Sequence, residues 1–342
     1  MKSENSMRIS VICPVYNEEK YIGECIDSLI KQDFSWDQSE IILVDGHSTD
    51  QTRQIIEGYC TKYAFIKLLH NPLKITPVSL NIAIRAATSN IIFRIDAHTT
   101  YPANYFTVLS KHLVELKADN VGGVCRTLPG ASGLLPASIA RVMSSLFGMG
   151  NSFFRIGAKK ILAVDTVPFG CFRKEIFDRI GLFDEELIRN QDDELNGRII
   201  KNGGKIFLIP DVIIDYFARD EVSKFSKMFY QYGLFKPLVN KKLGAATTIR
   251  QFFPVLFVLL LITTFFFTVF QLFAYKLLLA VVFVYFMLAI TFAIKESENI
   301  GQIFLMPILY FILHLSYGWG YLVGIFKFVI LNKSGIKVAA NR

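Results

Sequence analysis

Three acidic stretches carry residues whose types and spacing can do chemistry. Asp45 and Asp96 each close a short apolar run, EIILVD at 40–45 and IIFRID at 91–96. Ligands of open α/β sheets bind beyond the carboxyl ends of strands, so two carboxylates there suit a polar, phosphorylated ligand accompanied by a cation. Helix caps and loop turns are the plainer use of such residues. Asp96-Ala97-His98 sharpens the first option. Alternate residues at a strand end can point to one side, and a carboxylate with an imidazole can share one divalent ion. Oxygen ligands suit magnesium or manganese, and the imidazole tilts the choice toward manganese. The plainer alternative for His98 is a hydrogen bond to a loop. The third stretch is Gln191-Asp192-Asp193-Glu194. Acids at a helix start stabilise the helix dipole, while a carboxylate at this place can also take a proton from an attacking hydroxyl.

Competing chemistries lack their signatures. The chain has no G-x-x-x-x-G-K-[ST] phosphate loop, no G-x-G-x-x-G after the first strand-like run and no G-x-S-x-G elbow. His47, His70 and His112 show no metal-ligand spacing. The cysteines, Cys13, Cys25, Cys60, Cys125 and Cys171, contain no C-x-x-C pair and read as small buried hydrophobes in a reducing compartment.

The elements that must position these residues alternate. Residues 9–15 (ISVICPV) form an apolar run of the kind buried in a parallel sheet. Ile22, Cys25, Ile26, Leu29 and Ile30 follow at helical spacing. Residues 40–45 repeat the strand pattern. Ser48 and Gln51 then fit a capping box ahead of a helix with Ile55, Ile56, Tyr59 and Tyr63 on its apolar face. Residues 65–70 and 91–96 read as further strands, with a helix opened by Thr76-Pro77 between them. This alternation predicts an α/β fold, a mostly parallel sheet with helices on both faces. Residues 120–170 are rich in glycine and read as loops with one helix near 136–147. A helix near 192–202 stops at Asn202-Gly203-Gly204, and 205–214 reads as a late strand. Residues 222–236, mixing aromatics with Lys224, Lys227 and Lys236, suit either a helix on a membrane surface or an ordinary amphipathic helix packed on the domain.

The composition then shifts. Of the 342 residues 52% are hydrophobic and 19% charged, and the apolar excess lies beyond Arg250. The uncharged run 252–274 reaches about 34 Å at the helical rise, enough to cross a bilayer. Runs at 277–294 and 303–326 give second and third spans. Lys241, Lys242 and Arg250 precede the first span, and Lys333, Lys337 and Arg342 follow the last. The positive-inside rule then wants an even number of crossings, against three segments by count, so the side of the tail stays open. Two domains are expected: 1–236, cytoplasmic because MKSENSMR leads into no signal-type apolar core, and a membrane domain at 237–342. The net charge of +8 suits an anionic membrane surface and a phosphorylated substrate. No aromatic-basic motif points to nucleic acid.

Four stretches together resemble family 2 glycosyltransferases of the GT-A fold. ISVICPVYNEEKYIGECIDSL resembles the family's opening motif and ILVDGHSTDQT its nucleotide-binding motif, with a glycine where a second acid is usual. TPVSLNIAIRAATSNIIFRIDAHT resembles the segment ending in the Asp-x-Asp metal motif, with His98 in place of the second acid. VDTVPFGCFRKEIFDRIGLFDEELIRNQDDELNGRI resembles the acceptor loop and the Glu-Asp motif, with Gln191 at the Glu and Asp192 at the Asp. The variants are most similar to bacterial exopolysaccharide enzymes of the succinoglycan type. The resemblance implies that Pro14, Tyr16 and Glu18 line a nucleotide pocket. It implies that Asp45 faces base or ribose, and that Asp96 and His98 bind a divalent metal, Mn2+ or Mg2+. Asp192 would be the general base, with Phe169 and Gly170 shaping the acceptor site. It implies an inverting hexosyltransferase of the cell membrane, multi-pass, taking a nucleotide-sugar donor, UDP-hexose first among them. The acceptor would be a polyprenyl-diphosphate-linked sugar or a glycan, met among membrane lipids. A processive polysaccharide synthase and a non-catalytic nucleotide-sugar-binding membrane protein are the alternatives. QYGLFKP at 231–237, where processive synthases carry Q-x-x-R-W, argues against the former.

Overall fold

A computed structural model describes residues 8–270 and 274–335. Residues 1–7, 271–273 and 336–342, which include the basic positions Lys337 and Arg342, lie outside the described residues. In chain order the elements are β1 (Ile9–Val15), α1 (Ile22–Ile30), β2 (Glu40–Asp45), α2 (Thr52–Lys62), β3 (Ile66–His70), α3 (Thr76–Ala86), β4 (Ile91–Arg94), β5 (Thr99–Thr100), α4 (Tyr105–Glu115), β6 (Asn120–Leu128), α5 (Leu134–Met143), α6 (Leu146–Met149) and α7 (Phe153–Ile156). There follow β7 (Leu162–Ala163), β8 (Cys171–Arg173), α8 (Glu175–Ile180), α9 (Gln191–Lys201), β9 (Ile206–Phe217), α10 (Val222–Leu243), α11 (Phe252–Phe270), α12 (Ala274–Glu296) and α13 (Ile300–Gly324). The chain divides into two compact units, 8–126 with 157–216, and 127–156 with 217–335. Residue 236, where composition places a boundary, lies inside α10.

The first unit is built on a mixed sheet of order β3-β2-β1-β4-β8-β6-β9-β5, with β7 paired to β9. The half carrying the α/β alternation is parallel: β1 pairs with β2 and β4, and β2 with β3. Its central strands are buried along nearly their whole length, which is why they read as continuous apolar runs. The other half is antiparallel, β8 lying between β4 and β6. Strand β6 falls where loops are expected. Its Gly122-Gly123 pair is there because neighbours press close: a Cβ on Gly122 would sit 2.7 Å from Val167 Cβ, and one on Gly123 2.5 Å from the Val212 carbonyl.

At the amino end of the parallel strands a buried carboxylate ties four segments together. Glu40 accepts from Ser10 Oγ on β1 (2.7 Å), from the amide and hydroxyl of Thr88 (2.7 and 2.6 Å) and from Lys67 Nζ on β3 (2.7 Å). Burial works to raise its carboxyl, but these donors outweigh it, led by Lys67, and leave it lowered to about 2.

The second unit is helical. Three of its helices are long and apolar enough to cross a membrane: Ile249–Thr268, Tyr275–Glu296 and Ile300–Ile330. Helix α10 runs past the expected end at 236, through Pro237, because it packs on α13 at very short range. A Cβ on Gly233 would collide with the Tyr317 carbonyl, one on Gly320 with the Tyr230 carbonyl and one on Gly324 with the Leu234 carbonyl. Small residues facing each other let two helix backbones touch. Lys236, expected on a polar face, is buried at 7% exposure.

Candidate active site

Strands β1, β2 and β4 deliver the sequence-marked acids to one end of the sheet. The β1–β4 ladder stops at Ile12↔Arg94, with Ile95 N–H donating to the Ile12 carbonyl, whereas β1 and β2 stay paired to Val15↔Asp45. Ile12 faces β4 and Val15 faces β2, so by alternation the missing N–H of Pro14 falls on the β4 side, beyond the last pair. A proline is therefore tolerated in a central strand, and β4 is released to carry Asp96 away from the ladder.

The decisive group is one the motifs do not name. Arg94, the last residue of β4, is 3% exposed and holds two acids from distant parts of the chain. Its Nη1 lies 3.0 Å from Asp96 Oδ1 and its Nη2 lies 3.3 Å from Asp192 Oδ2. The Asp96 contact is an ion pair whose angle falls outside a hydrogen bond, and Nε of the same guanidinium has no hydrogen-bond acceptor. The Phe169 ring covers the group, its centroid 5.3 Å from Cζ. Crowding by protein atoms strips water from Asp192 and pushes its carboxyl up. Arg94 opposes that push, Asp96 and Asp193 add to it, and the result is about 6. Of the other acids in this stretch, Glu194 goes to Arg198 (2.6 Å), a structural pair within α9.

The loops after β1 and β2 interlock. Asp45 accepts from Ser48 through both its amide (3.0 Å) and its hydroxyl (2.6 Å), and Ser48 Oγ accepts from Asn17 N–H. Ser48 thus does not form the expected capping box with Gln51. The Ser48 oxygen accepts from Asn17 N–H in place of the Gln51 amide, which donates to Glu19 instead. Asn17 and His47, directly beyond the two strands, both adopt positive φ, 52° and 66°. Pro14, Tyr16 and Glu18 line the same rim at intermediate exposure, while Asp45 is 2% exposed. Asp45 is therefore a loop anchor as well as a carboxylate at the strand end.

His98 Nδ1 lies 3.3 Å from Glu18 Oε1, and its ring meets Tyr216 edge-on at 5.4 Å. Among the described residues no three His, Cys, Asp or Glu side chains gather into a metal cage. Asp96 offers a carboxylate and His98 an imidazole with Glu18 beside it, donor types that suit a divalent ion.

Phe169 (φ 50°) and Asn190 (φ 62°) are strained turns flanking α8. The Phe169 carbonyl accepts from Tyr105 OH (2.7 Å) and the Gly170 carbonyl from Arg94 N–H (2.9 Å). Asn190 starts α9 and sets Asp192 in its first turn. The expected acceptor-loop residues and the expected base are therefore fastened to the same arginine.

Comparison with known proteins gives the family and the fold. The glycosyl transferase family 2 profile matches residues 10–181. The chain is 31% identical over 328 residues, 93% of itself and 97% of the relative, to a dolichyl N-acetyl-alpha-D-glucosaminyl phosphate 3-beta-D-2,3-diacetamido-2,3-dideoxy-beta-D-glucuronosyltransferase of Methanococcus voltae. The chain belongs to glycosyltransferase family 2. This glycosyltransferase is also 29% identical over 246 residues to the succinoglycan biosynthesis protein ExoA of Rhizobium meliloti, covering 71% of the chain and 73% of the relative. Its fold is GT-A. A mannosyltransferase of Pyrobaculum calidifontis, solved with GDP-Man and Mn2+, superposes with a TM-score of 0.54 at 18% identity over 93% of this chain and 84% of its own.

In this glycosyltransferase the residue that motif reasoning missed is Arg94. A signal was present: a charge in the middle of IIFRID, an otherwise buried strand, must meet an opposite charge or destabilise the fold.

Proposed function

We propose that this glycosyltransferase moves a sugar, with inversion, from a nucleoside-diphosphate donor to a lipid-linked or glycan acceptor at the cytoplasmic membrane face. UDP-hexose is the first donor to try. Residues 1–236 act as the cytoplasmic catalytic domain. Residues 237–342 act as the membrane domain, with spans near 252–274, 277–294 and 303–326. The observation carrying this reading is the convergence of Asp96 and Asp192 on one buried arginine. It supports reading Asp96 as a donor-site carboxylate and Asp192 as a proton acceptor at the same strand end. The name of the Methanococcus voltae relative, which specifies a dolichyl-phosphate-linked sugar, supports a lipid-linked acceptor.

Asp192 takes the proton of the acceptor hydroxyl as its oxygen bonds to the anomeric carbon. The bond from that carbon to the nucleoside diphosphate breaks on the opposite face, and its electron pair leaves with the diphosphate. With a carboxyl of about 6, Asp192 is mostly ionised at neutral pH yet basic enough to accept a proton. Arg94 keeps it oriented and favours the ionised form. Pro14, Tyr16 and Glu18 border the nucleotide and Asp45 faces its base or ribose. Asp96 and His98 would hold a divalent ion, Mn2+ or Mg2+, which would offset the charge on the leaving diphosphate.

The test is Asp192→Asn in membranes supplied with labelled nucleotide sugar. Transfer falls by about 10²–10⁴, and the wild-type rate rises with pH along a limb centred near 6. Undiminished transfer at matched protein level removes Asp192 from the base role.

A further inference from the structure

A groove of about 550 Å³ opens within the second unit between α10, α11 and α13. Pockets of roughly 300–1,000 Å³ with apolar walls and few polar groups are the usual form of a ligand site. Val258, Leu261 and Ile262 of α11 and Leu315 and Trp319 of α13 make the wall. Both helices belong to segments long and apolar enough to cross a membrane. Of its polar side chains, Ser226 of α10 and Ser316 of α13 bond to each other at 2.9 Å, Ser223 reaches Glu221 at 3.3 Å, and Tyr230 also lines the groove.

The charge sits at the edge. Lys227 of α10 lines the groove and is exposed. One turn earlier Lys224 is engaged, 2.5 Å from Glu221 and 3.8 Å from Asp220. Among the described residues no carboxylate pairs with Lys227. The groove therefore offers a largely apolar slot bordered by one available ammonium, the complement of a molecule with a long apolar chain and an anionic head. A polyprenyl phosphate has that form: one branched chain for the slot and phosphate at its end for Lys227. A phospholipid brings two chains and fits the single slot less well.

We propose that the groove between α10, α11 and α13 seats the polyprenyl chain of a lipid-linked acceptor, with Lys227 meeting its phosphate. This rests on the reading of the acceptor as lipid-linked. The test does not depend on turnover. The full chain, in phosphatidylcholine nanodiscs, is irradiated with a polyprenyl phosphate carrying a diazirine in its chain, and labelled peptides are mapped. Label falls on α11 and α13 around Leu261 and Trp319. Lys227→Glu lowers it at least tenfold and Lys227→Arg retains it. Unlabelled polyprenyl phosphate competes, and phosphatidylglycerol at equal charge does not. Label elsewhere, equal competition by phosphatidylglycerol, or wild-type labelling of Lys227→Glu overturns the assignment. Groove labelling without sugar transfer to any lipid acceptor would sink the acceptor reading and leave the site standing. Transfer to a lipid acceptor without groove labelling would do the reverse.

Discussion

Arg94 and Asp192, nearly a hundred residues apart in sequence, meet at 3.3 Å, and the guanidinium side of that contact is buried. A buried charge with a partner is costly to strip, about 3–5 kcal/mol when one member is removed. The contact also works against the burial that raises the Asp192 carboxyl. Arg94→Gln therefore moves the rising limb of the pH–rate profile to higher pH, so transfer falls more at pH 6.5 than at pH 8.5. Arg94→Lys keeps the charge and moves the limb less. A purely structural role would lower activity evenly across pH, so the position of the limb is the measurement.

His98 faces Glu18 at 3.3 Å rather than solvent. If it completes the donor set with Asp96, His98→Ala weakens Mn2+ binding in the presence of UDP about tenfold. Titration followed by Mn2+ electron paramagnetic resonance reads this without turnover. Unchanged Mn2+ affinity would return His98 to the role of a loop residue.

Glu40 lies at the other end of the same strands and touches no site residue named above. Its carboxyl is lowered to about 2 from an ordinary value of 4.5. An acid with a lowered native value contributes stability that is complete above its unfolded value and lost as pH falls through the native one. That contribution is present at neutral pH and drains away between about pH 4.5 and 2. Glu40→Gln, which keeps one acceptor oxygen and turns an amide NH2 toward either Lys67 or Thr88, costs about 1–3 kcal/mol at pH 7 and less at pH 3. Denaturant midpoints at the two pH values test the difference.

Gly170 leaves no room for a side chain: a Cβ there would collide with the Asn120 carboxamide, itself fully buried and bonded to Asn196 at 2.9 Å. Gly170→Ala costs about 1–3 kcal/mol by overpacking. It also disturbs the segment that covers Arg94 with Phe169, so acceptor KM rises alongside the drop in melting temperature.

The parallel half of the sheet was legible because fully buried strands must be apolar throughout, as in ISVICPV and EIILVD. The end of α9 was legible because Gly203 takes the positive φ that a helix stop favours. Strand β6 was not, since Gly122 and Gly123 look like a loop until Val167 and Val212 are placed beside them. Ser48 carries the chemistry of a cap, but in the fold Asn17 N–H takes its oxygen and Glu19 takes the Gln51 amide. Pro237 looks like a helix stop, yet α10 continues through it because contact with α13 outweighs one lost hydrogen bond. Asp96 and Asp192 were visible one at a time, and the arginine joining them was not, because pairing across so many residues is a property of the folded chain.

The glycine contacts of α10 with α13 have a mechanical meaning. Two helices whose backbones meet at Gly233, Gly320 and Gly324 can neither slide nor roll without forcing carbonyls into one another. Lys227 sits on α10 less than two turns before Gly233, so its height is geared to the tilt of α13. A span answers a thinner or thicker bilayer chiefly by tilting. With α10 locked to α13, any tilt that α13 takes up in a bilayer is carried to the Lys227 ammonium.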